Sequence, residues 1–571
     1  MSMEDIPREP HPRENQTFDV VVVGSGFGGS VAAYRLAEAG LSVCLLERGR
    51  RYPPGTFARS AAEASRTLWD PSEGLHGLYD LWSFRHTDAI VSSGLGGGSL
   101  IYANVLLRMD PQWFYSQVPG EDPRPWPVSR DQLEQHYAAV EGMLTPKRYP
   151  TAYASITPKP RQFAAAAADM GETAVSPPLA ITFAEDPLRP TVFDDGSDNI
   201  HGVPRIECRR SGQCDVGCNN GSKNTLDLTY LSKINNENAS IYSDCEVKSF
   251  AREDQLWQIG YVHHDPPDVQ RVREDKPTPR TIRARALVLA AGTFGTNFLL
   301  MKNRASLPEL SDRIGQGFSG NGDFLGFLTR GSGPVAPANG PVITSTIRRP
   351  DWADDGNGTR PADAPLGHYV QDGGYPGLLE WFTELAPPTG IVRRGASLAV
   401  ARLRQKLTGA PPINVSKKIA VLLNEGRQSA NIMPLLAMGR DAPDTTLKLK
   451  RGFLDLEQGP GSAEYVRQVR ITLKGLAAAL GANYHDYMST AFSRFITVHP
   501  LGGAAMAASP DLGVVDEFGR VFGYEHDHLL VMDGSIMPGP VGPNPSLTIA
   551  ALADRCTDQL IADLSSPAGH D

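Results

Sequence analysis

Residues 18–47, FDVVVVGSGFGGSVAAYRLAEAGLSVCLLE, read as strand, glycine turn, helix and second strand. Asp19–Val23 is a β-branched apolar run of the kind that forms a strand buried on both faces of a parallel sheet. Ser30–Ala39 carries helical periodicity and stops at Gly40, a C-cap residue, and Val43–Leu46 is the next strand. Gly24-Ser25-Gly26-Phe-Gly-Gly29 fits G-x-G-x-x-G at the strand-to-helix junction, and Glu47 closes the second strand. Each position has a task. Gly24 makes the tight turn, Gly26 lets a pyrophosphate approach the backbone, and Gly29 lets helix and strand pack closely. The free N–H groups of the helix N-terminus face the anion. The Glu47 carboxylate would accept hydrogen bonds from adenosine ribose hydroxyls, which disfavours a 2′-phosphate there. The unit predicts a dinucleotide site on a parallel α/β sheet and does not by itself separate FAD from NAD.

The surrounding composition is that of a globular protein. Of 571 residues, 41% are apolar and 21% charged, unlike a disordered chain. The length allows roughly three or four domain-sized units. The 57 glycines and 46 prolines point to many tight turns, and a net charge of −9 gives no reason to expect nucleic acid as a partner. Six cysteines in this length do not make a disulfide framework. The opening stretch, MSMEDIPREPHPRENQTF, is charged and lacks the apolar core of a secretory signal. No run of about 18 apolar residues occurs, so no membrane span is expected and a cytoplasmic location is predicted.

Further along, a second glycine cluster occupies Ser92–Val105, SSGLGGGSLIYANV. Residues 110–205 are rich in proline, with one helical pattern around Asp131–Leu144. Strand patterns return at Ser240–Lys248 and Ala284–Ala291, and the second runs through Gly292 into a helix. A strand at Leu529–Met532 ends on Asp533-Gly534, placing a carboxylate where a ribityl or pyrophosphate group could meet it. A helix spans Ser546–Leu564. Nucleotide-binding elements at the start, middle and end predict two intertwined domains. A cofactor domain takes 18–110, 208–321 and 486–566, a substrate domain takes 111–207 and 322–485, and residues 1–17 form a tail.

Three motifs in this order identify a family. Gly94-Leu-Gly96-Gly97-Gly98-Ser99-Leu resembles the glycine loop that passes close to the flavin in the glucose–methanol–choline (GMC) oxidoreductases. His499-Pro-Leu-Gly-Gly resembles the family's His-Pro-hydrophobe-Gly-Gly. Asp533-Gly-Ser-Ile-Met-Pro-Gly followed by Asn544-Pro545-Ser-Leu-Thr-Ile-Ala resembles its C-terminal signature. Within the family the look is nearest to bacterial cholesterol oxidases with non-covalent FAD. The resemblance implies an α/β fold in which a Rossmann-like FAD domain is interleaved with a substrate domain built on a mixed or antiparallel sheet with helices. It implies oxidation of a small-molecule alcohol by hydride transfer to flavin, with a lipophilic substrate such as a steroid. It makes His499 the catalytic base and Asn544 its hydrogen-bonding partner, and adds Val247, Gly292, Asp533, Gly534 and Pro545 to the cofactor contacts already read at Gly24, Ser25, Gly26, Gly29 and Glu47. A histidine able to anchor FAD covalently is missing after Ser99, so the FAD is expected to be dissociable.

The chemistry agrees with those roles. Taking hydride from a carbinol carbon requires the hydroxyl proton to leave, and an imidazole near neutral pKa suits that transfer. An amide can donate to the oxygen as charge develops on it. One departure stands out. Steroid oxidases of this kind also use a glutamate to move the double bond, and Val370-Gln371-Asp372-Gly-Gly aligns Gln371 with that position. An amide cannot shuttle protons, and Asp372 on a strand would point to the other face. Both residues are retained as substrate-pocket candidates.

Two segments stay open. Cys208, Cys214 and Cys218 crowd one loop beside Arg209 and Arg210. The spacing resembles that of family members holding an iron–sulfur cluster, while packing, a disulfide or zinc are the other readings. From 386 to 418 there is no acidic residue but seven basic ones, including Arg393, Arg402 and Lys418. A solvated helical face, a peripheral membrane contact or a partner site would each account for it. The electron acceptor is O2 or, if a cluster is present, an electron-transfer partner. A non-redox lyase with structural FAD is the third reading.

Overall fold

The computed structural model describes residues 10–60, 63, 66–118, 122–184, 196, 199–234, 238–264, 277–351, 365–375, 432–457, 459, 461–487 and 495–565. The basic stretch 386–418 lies outside them. No helix among the described residues is long and apolar enough to cross a membrane.

The opening unit folds as its pattern dictates. Strand β1 (Thr17–Val23), helix α1 (Phe27–Glu38) and strand β2 (Val43–Leu46) form a parallel β-α-β turn. Val20, Val21 and Val22 are fully buried, because β1 lies between β2 and the strand Pro279–Leu289, with layers packed on both faces. Gly40 takes φ +84° just beyond the end of α1, and its N–H reaches the Ala37 carbonyl. That closes the helix as a left-handed C-cap does.

The large sheet has seven strands. Its path runs Ala239–Tyr242, β2, β1, Pro279–Leu289, Leu256–His263, Cys245–Glu253, and Leu529–Val531 pairs with the far half of Pro279–Leu289. Contacts among the first four strands, and that of Leu529–Val531, are parallel; the remaining long strands form an antiparallel meander. The apolar run expected as one strand at Ser240–Lys248 is two. It breaks at Asp244, where φ is +59°, and the pieces occupy opposite ends of the strand order. A pattern of side chains carries no record of such a break.

A second sheet of five antiparallel strands runs Thr346–Arg349, His368–Asp372, Met433–Gly439, Phe324–Thr329, Asn483–Asp486. The helices Pro158–Asp169 and Ala463–Ala479 pack on it around Phe163, Leu435 and Val469. The first of these helices was hidden by its prolines. Pro158 stands at the first helical position, where the missing N–H costs nothing, and the following alanines favour the helix. A small three-stranded sheet, Phe495–Thr497, Thr87–Ser92 and Tyr79–Ser83, joins the segment before His499 to the hairpin before the second glycine cluster.

Close packing of α1 on β1 depends on Gly29, where an added Cβ would sit 2.0 Å from the Gly24 carbonyl oxygen. Gly29→Ala must push the helix away, at a cost of about 1–3 kcal/mol. The expected result is a lower melting temperature and weaker visible absorbance after purification; unchanged values for both would contradict this packing.

Candidate active site

One cavity of about 850 Å3 runs from the glycine turn of β1 to the five-stranded sheet. Gly24, Ser25, Gly26, Glu47, Val247, Gly292, Asp533 and Gly534 line it along the large sheet, and Gly97 and Gly98 form its middle. His499, Asn544 and Pro545 face it near Phe324, Val342 and Leu436. A nucleotide cleft and a reaction chamber are thus continuous.

The cleft is held open by a polar clasp. Ser25 Oγ donates to Glu47 Oε2 (2.7 Å) and accepts from the Gly96 N–H (2.9 Å). Glu47 also accepts from Ser25 N (3.0 Å) and Gly49 N (2.8 Å). Burial raises the pKa of its carboxyl, and the Gly49 and Ser25 donors oppose that rise. Oε1, with one donor, keeps a lone pair for a ribose hydroxyl. Gly24 has φ +97°, and a Cβ there would strike the Ala290 carbonyl at 2.3 Å, so only glycine lets the first strand turn beside its neighbour. Gly97, at φ +52°, brings the second glycine loop so close that a Cβ would lie 2.6 Å from Gly26 Cα. Asp533 Oδ1 accepts from Ser535 N (2.9 Å), and its other oxygen accepts from the Thr296 hydroxyl. It therefore ties the end of Leu529–Val531 to the helix Gly292–Lys302. These groups fit a dinucleotide: a backbone cradle without side chains, an acid at the ribose end, and helix N-termini toward the phosphates.

Three cofactor candidates do not reach the cavity. Gly29 acts in packing; Gly96 and Ser99 hold the loop from behind, with Ser99 Oγ donating to Gly96 O (2.7 Å) and accepting from Leu226 N (2.9 Å).

His499 is positioned by a residue that sequence reasoning missed. Its ring Nδ1 lies 2.7 Å from Asp323 Oδ1, and Asp323 Oδ2 accepts from Val498 N (2.8 Å), His499 N (3.1 Å) and Thr497 Oγ1 (3.0 Å). A carboxylate only accepts, so Nδ1 carries the hydrogen, and the neutral ring keeps its lone pair at Nε2. Asn321, two residues earlier, uses both halves of its amide. Oδ1 accepts from Val541 N and Gly542 N, both 2.9 Å, and Nδ2 donates to Pro543 O at 3.1 Å. It fixes the loop leading into Asn544. In sequence, Ser319-Gly-Asn-Gly-Asp323 reads as an ordinary polar turn, and no spacing signal marks it.

Gln371 and Asp372 part company. Gln371 is fully buried behind the cavity wall and donates from Nε2 to Asn544 Oδ1 at 2.8 Å. Asp372 points to the other face of its strand and is no pocket residue. It accepts from Thr344 N and Ser345 N, both 2.7 Å, with Lys159 Nζ 3.8 Å away. Burial raises its pKa, Lys159 opposes the rise, and the pair serves as a buried tie between strand and helix.

Cys208, Cys214 and Cys218 do not converge on a single metal ion. Among the described residues the single group whose ligand atoms all lie within 4.8 Å is His136, Asp554 and Asp558, and Arg35 already pairs with both of its aspartates. Cys208 and Cys214 instead pack against the apolar cluster of Tyr149, Tyr153 and Phe183. Burial raises both thiol pKa values. Zinc would require the same convergence, and all six cysteines are free thiols.

A dinucleotide cleft opening onto a His–Asn chamber defines a class, the FAD-dependent oxidoreductases, and residues 19–148 match the model of the FAD dependent oxidoreductases. Residues 457–553 match that of the GMC oxidoreductases. The chain is 31% identical to a cholesterol oxidase of Mycobacterium tuberculosis, over 94% of this chain and 90% of the relative. It is 28% identical to a cholesterol oxidase of Acinetobacter baumannii, over 96% and 95%. The fold is similar to that of pyridoxine 4-oxidase from Mesorbium loti, with a TM-score of 0.56 at 17% identity, covering 95% of this chain and 98% of that one. This chain belongs to the GMC oxidoreductases.

If the cysteines only pack, converting Cys208, Cys214 and Cys218 together to alanine leaves the visible spectrum two-banded and turnover intact, with a modest loss of melting temperature. Loss of broad absorbance and of turnover together would restore the cluster.

Proposed function

We propose that the chain oxidises a lipophilic alcohol to the carbonyl compound, with His499 as base and Asn544 as hydrogen-bond donor to the reacting oxygen. One observation carries this reading: a histidine with Nδ1 locked by Asp323 shares a chamber wall with an amide, beside the nucleotide cleft.

The hydroxyl of the substrate donates to His499 Nε2. As the O–H bond breaks, its proton moves to Nε2, and the imidazolium so formed is stabilised by the Asp323 carboxylate at Nδ1. Asn544 donates to the oxygen and lowers the energy of the charge that gathers there. FAD, when bound in the cleft, supplies the acceptor for the hydride that leaves the carbinol carbon. Gly24, Gly26, Glu47, Val247, Gly292, Asp533 and Pro545 would hold it without covalent attachment.

Phe324, Leu325, Val342, Ile343 and Leu436 give the chamber apolar walls, which suits a steroid or similar lipophilic alcohol. The similarity to cholesterol oxidases points the same way. Double-bond migration is not part of the reading. Gln371 is an amide, and the carboxylate of Asp372 is sequestered on the other side of its strand. Oxygen is the proposed electron acceptor, in keeping with the similarity to oxidases.

His499→Ala is expected to keep FAD but lose anaerobic bleaching of the flavin by alcohol; unchanged bleaching would remove His499 from the reaction. Asp323→Asn is more discriminating. An amide offers one oxygen where the carboxylate serves donors on two sides. When that oxygen satisfies the backbone, the NH2 faces Nδ1 and drives the ring proton to Nε2. Flavin reduction should fall by about 10²–10⁴-fold with FAD content unchanged. In a His499→Ala background the same substitution should add almost nothing, because its effect passes through the ring.

A further inference from the structure

Gln371 lies on the strand His368–Asp372 of the five-stranded sheet, with no exposed surface. Its Nε2 donates to Asn544 Oδ1 at 2.8 Å, while its own Oε1 is buried with no partner. The orientation of this pair follows from what each amide can tolerate. Turning the Gln371 amide would place two N–H donors where a lone acceptor now sits unpaired. Buried donors without acceptors are rarer than under-used carbonyls. Gln371 therefore presents N–H to Asn544, Asn544 meets it with oxygen, and the NH2 of Asn544 is what remains for the cavity that Asn544 lines.

We infer that Gln371 is the positioning residue that sets the amide of Asn544, so that the chamber is offered a donor and not a carbonyl. The inference rests on the proposed role of Asn544. It also assigns a reason for an amide at this place. A carboxylate can only accept; it would draw the Asn544 NH2 toward itself and turn the carbonyl to the substrate oxygen. There it would repel the growing negative charge that the proposed reaction creates. His499 and Asn544 are thus set by matched devices: Asp323 leaves an acceptor at Nε2, and Gln371 leaves a donor at Nδ2.

Gln371→Glu tests this with a signature that a packing role lacks. The introduced carboxyl, when protonated, can donate to Asn544 Oδ1 as the amide does; when ionised it cannot. Anaerobic flavin reduction, taken as a ratio to the wild type at each pH so that the pH dependence common to both enzymes cancels, should lie within several-fold of unity at low pH. It should fall by about 10²-fold as pH rises through the titration of the new group, approaching the rate of Asn544→Ala. Gln371→Met, which neither donates nor accepts, should lose rate at every pH alike. In an Asn544→Ala background neither substitution should lower the rate further. FAD absorbance and melting temperature report that each variant is folded, and Gln371→Met serves if Gln371→Glu is not. A flat pH ratio for Gln371→Glu, or additive losses in the Asn544→Ala background, would overturn the inference while leaving Asn544 in the reaction. An Asn544→Ala enzyme as fast as the wild type would overturn the role of Asn544 itself, and the inference with it.

Discussion

The turn Ser319–Asp323 is the constraint on which the reaction chamber depends. It crosses between the two sheets and holds both His499 and the loop that leads into Asn544. Asn321, with φ +55°, spends all its amide valences on the loop Val541–Pro543, and Asp323 gathers the segment Thr497–His499. The turn is itself braced from behind. Asp441 accepts from Ser319 Oγ (2.6 Å), Tyr465 donates to Gly322 O (2.7 Å), and Gly439 N donates to Asn321 O (2.9 Å). Buried polar groups with every valence met form stiff networks, because each loss of a bond exposes a partner that water cannot reach. Asp441 shows the cost of such burial, its pKa pushed up to about 7 by desolvation, with the nearby Asp323 carboxylate adding to the rise.

The nucleotide cleft follows a different logic. Its walls are mostly backbone, and the side chains that matter are those that hold backbone in place. Ser25 links Glu47 to the second glycine loop, Ser99 links that loop to Leu226, and Lys223 donates to Leu100 O (3.0 Å) and Cys214 O (2.7 Å). The cysteine loop is thereby a strut under the glycine loop. Cys208 and Cys214 pack beside the apolar cluster of Tyr149, Tyr153 and Phe183.

Together the two regions divide the labour of an oxidoreductase. In the proposed reaction the cleft binds and aims the cofactor, and the chamber handles the proton and the charge on oxygen. The continuity of a single cavity lets both act on one carbon atom.

Much of the fold was legible in order along the chain. The Val-rich run, the glycine spacing and Glu47 determine a β-α-β cofactor unit, because each residue's task is local: a strand buried on two faces, a turn without Cβ, an acid at a strand end. The motifs around Gly97, His499 and Asn544 determine the family and the identity of the two polar groups facing the chamber. What sequence could not determine is which way those groups point. The break at Asp244, the proline-led helix Pro158–Asp169 and the sheet that carries Gln371 depend on pairing between distant strands. Asp323 lies 176 residues from His499, and Gln371 173 residues from Asn544. A hydrogen bond between residues so far apart leaves no period or spacing in the chain. Only the packed structure places Asp323 at Nδ1 of His499 and Gln371 at Oδ1 of Asn544, and turns Asp372, one residue from Gln371, away.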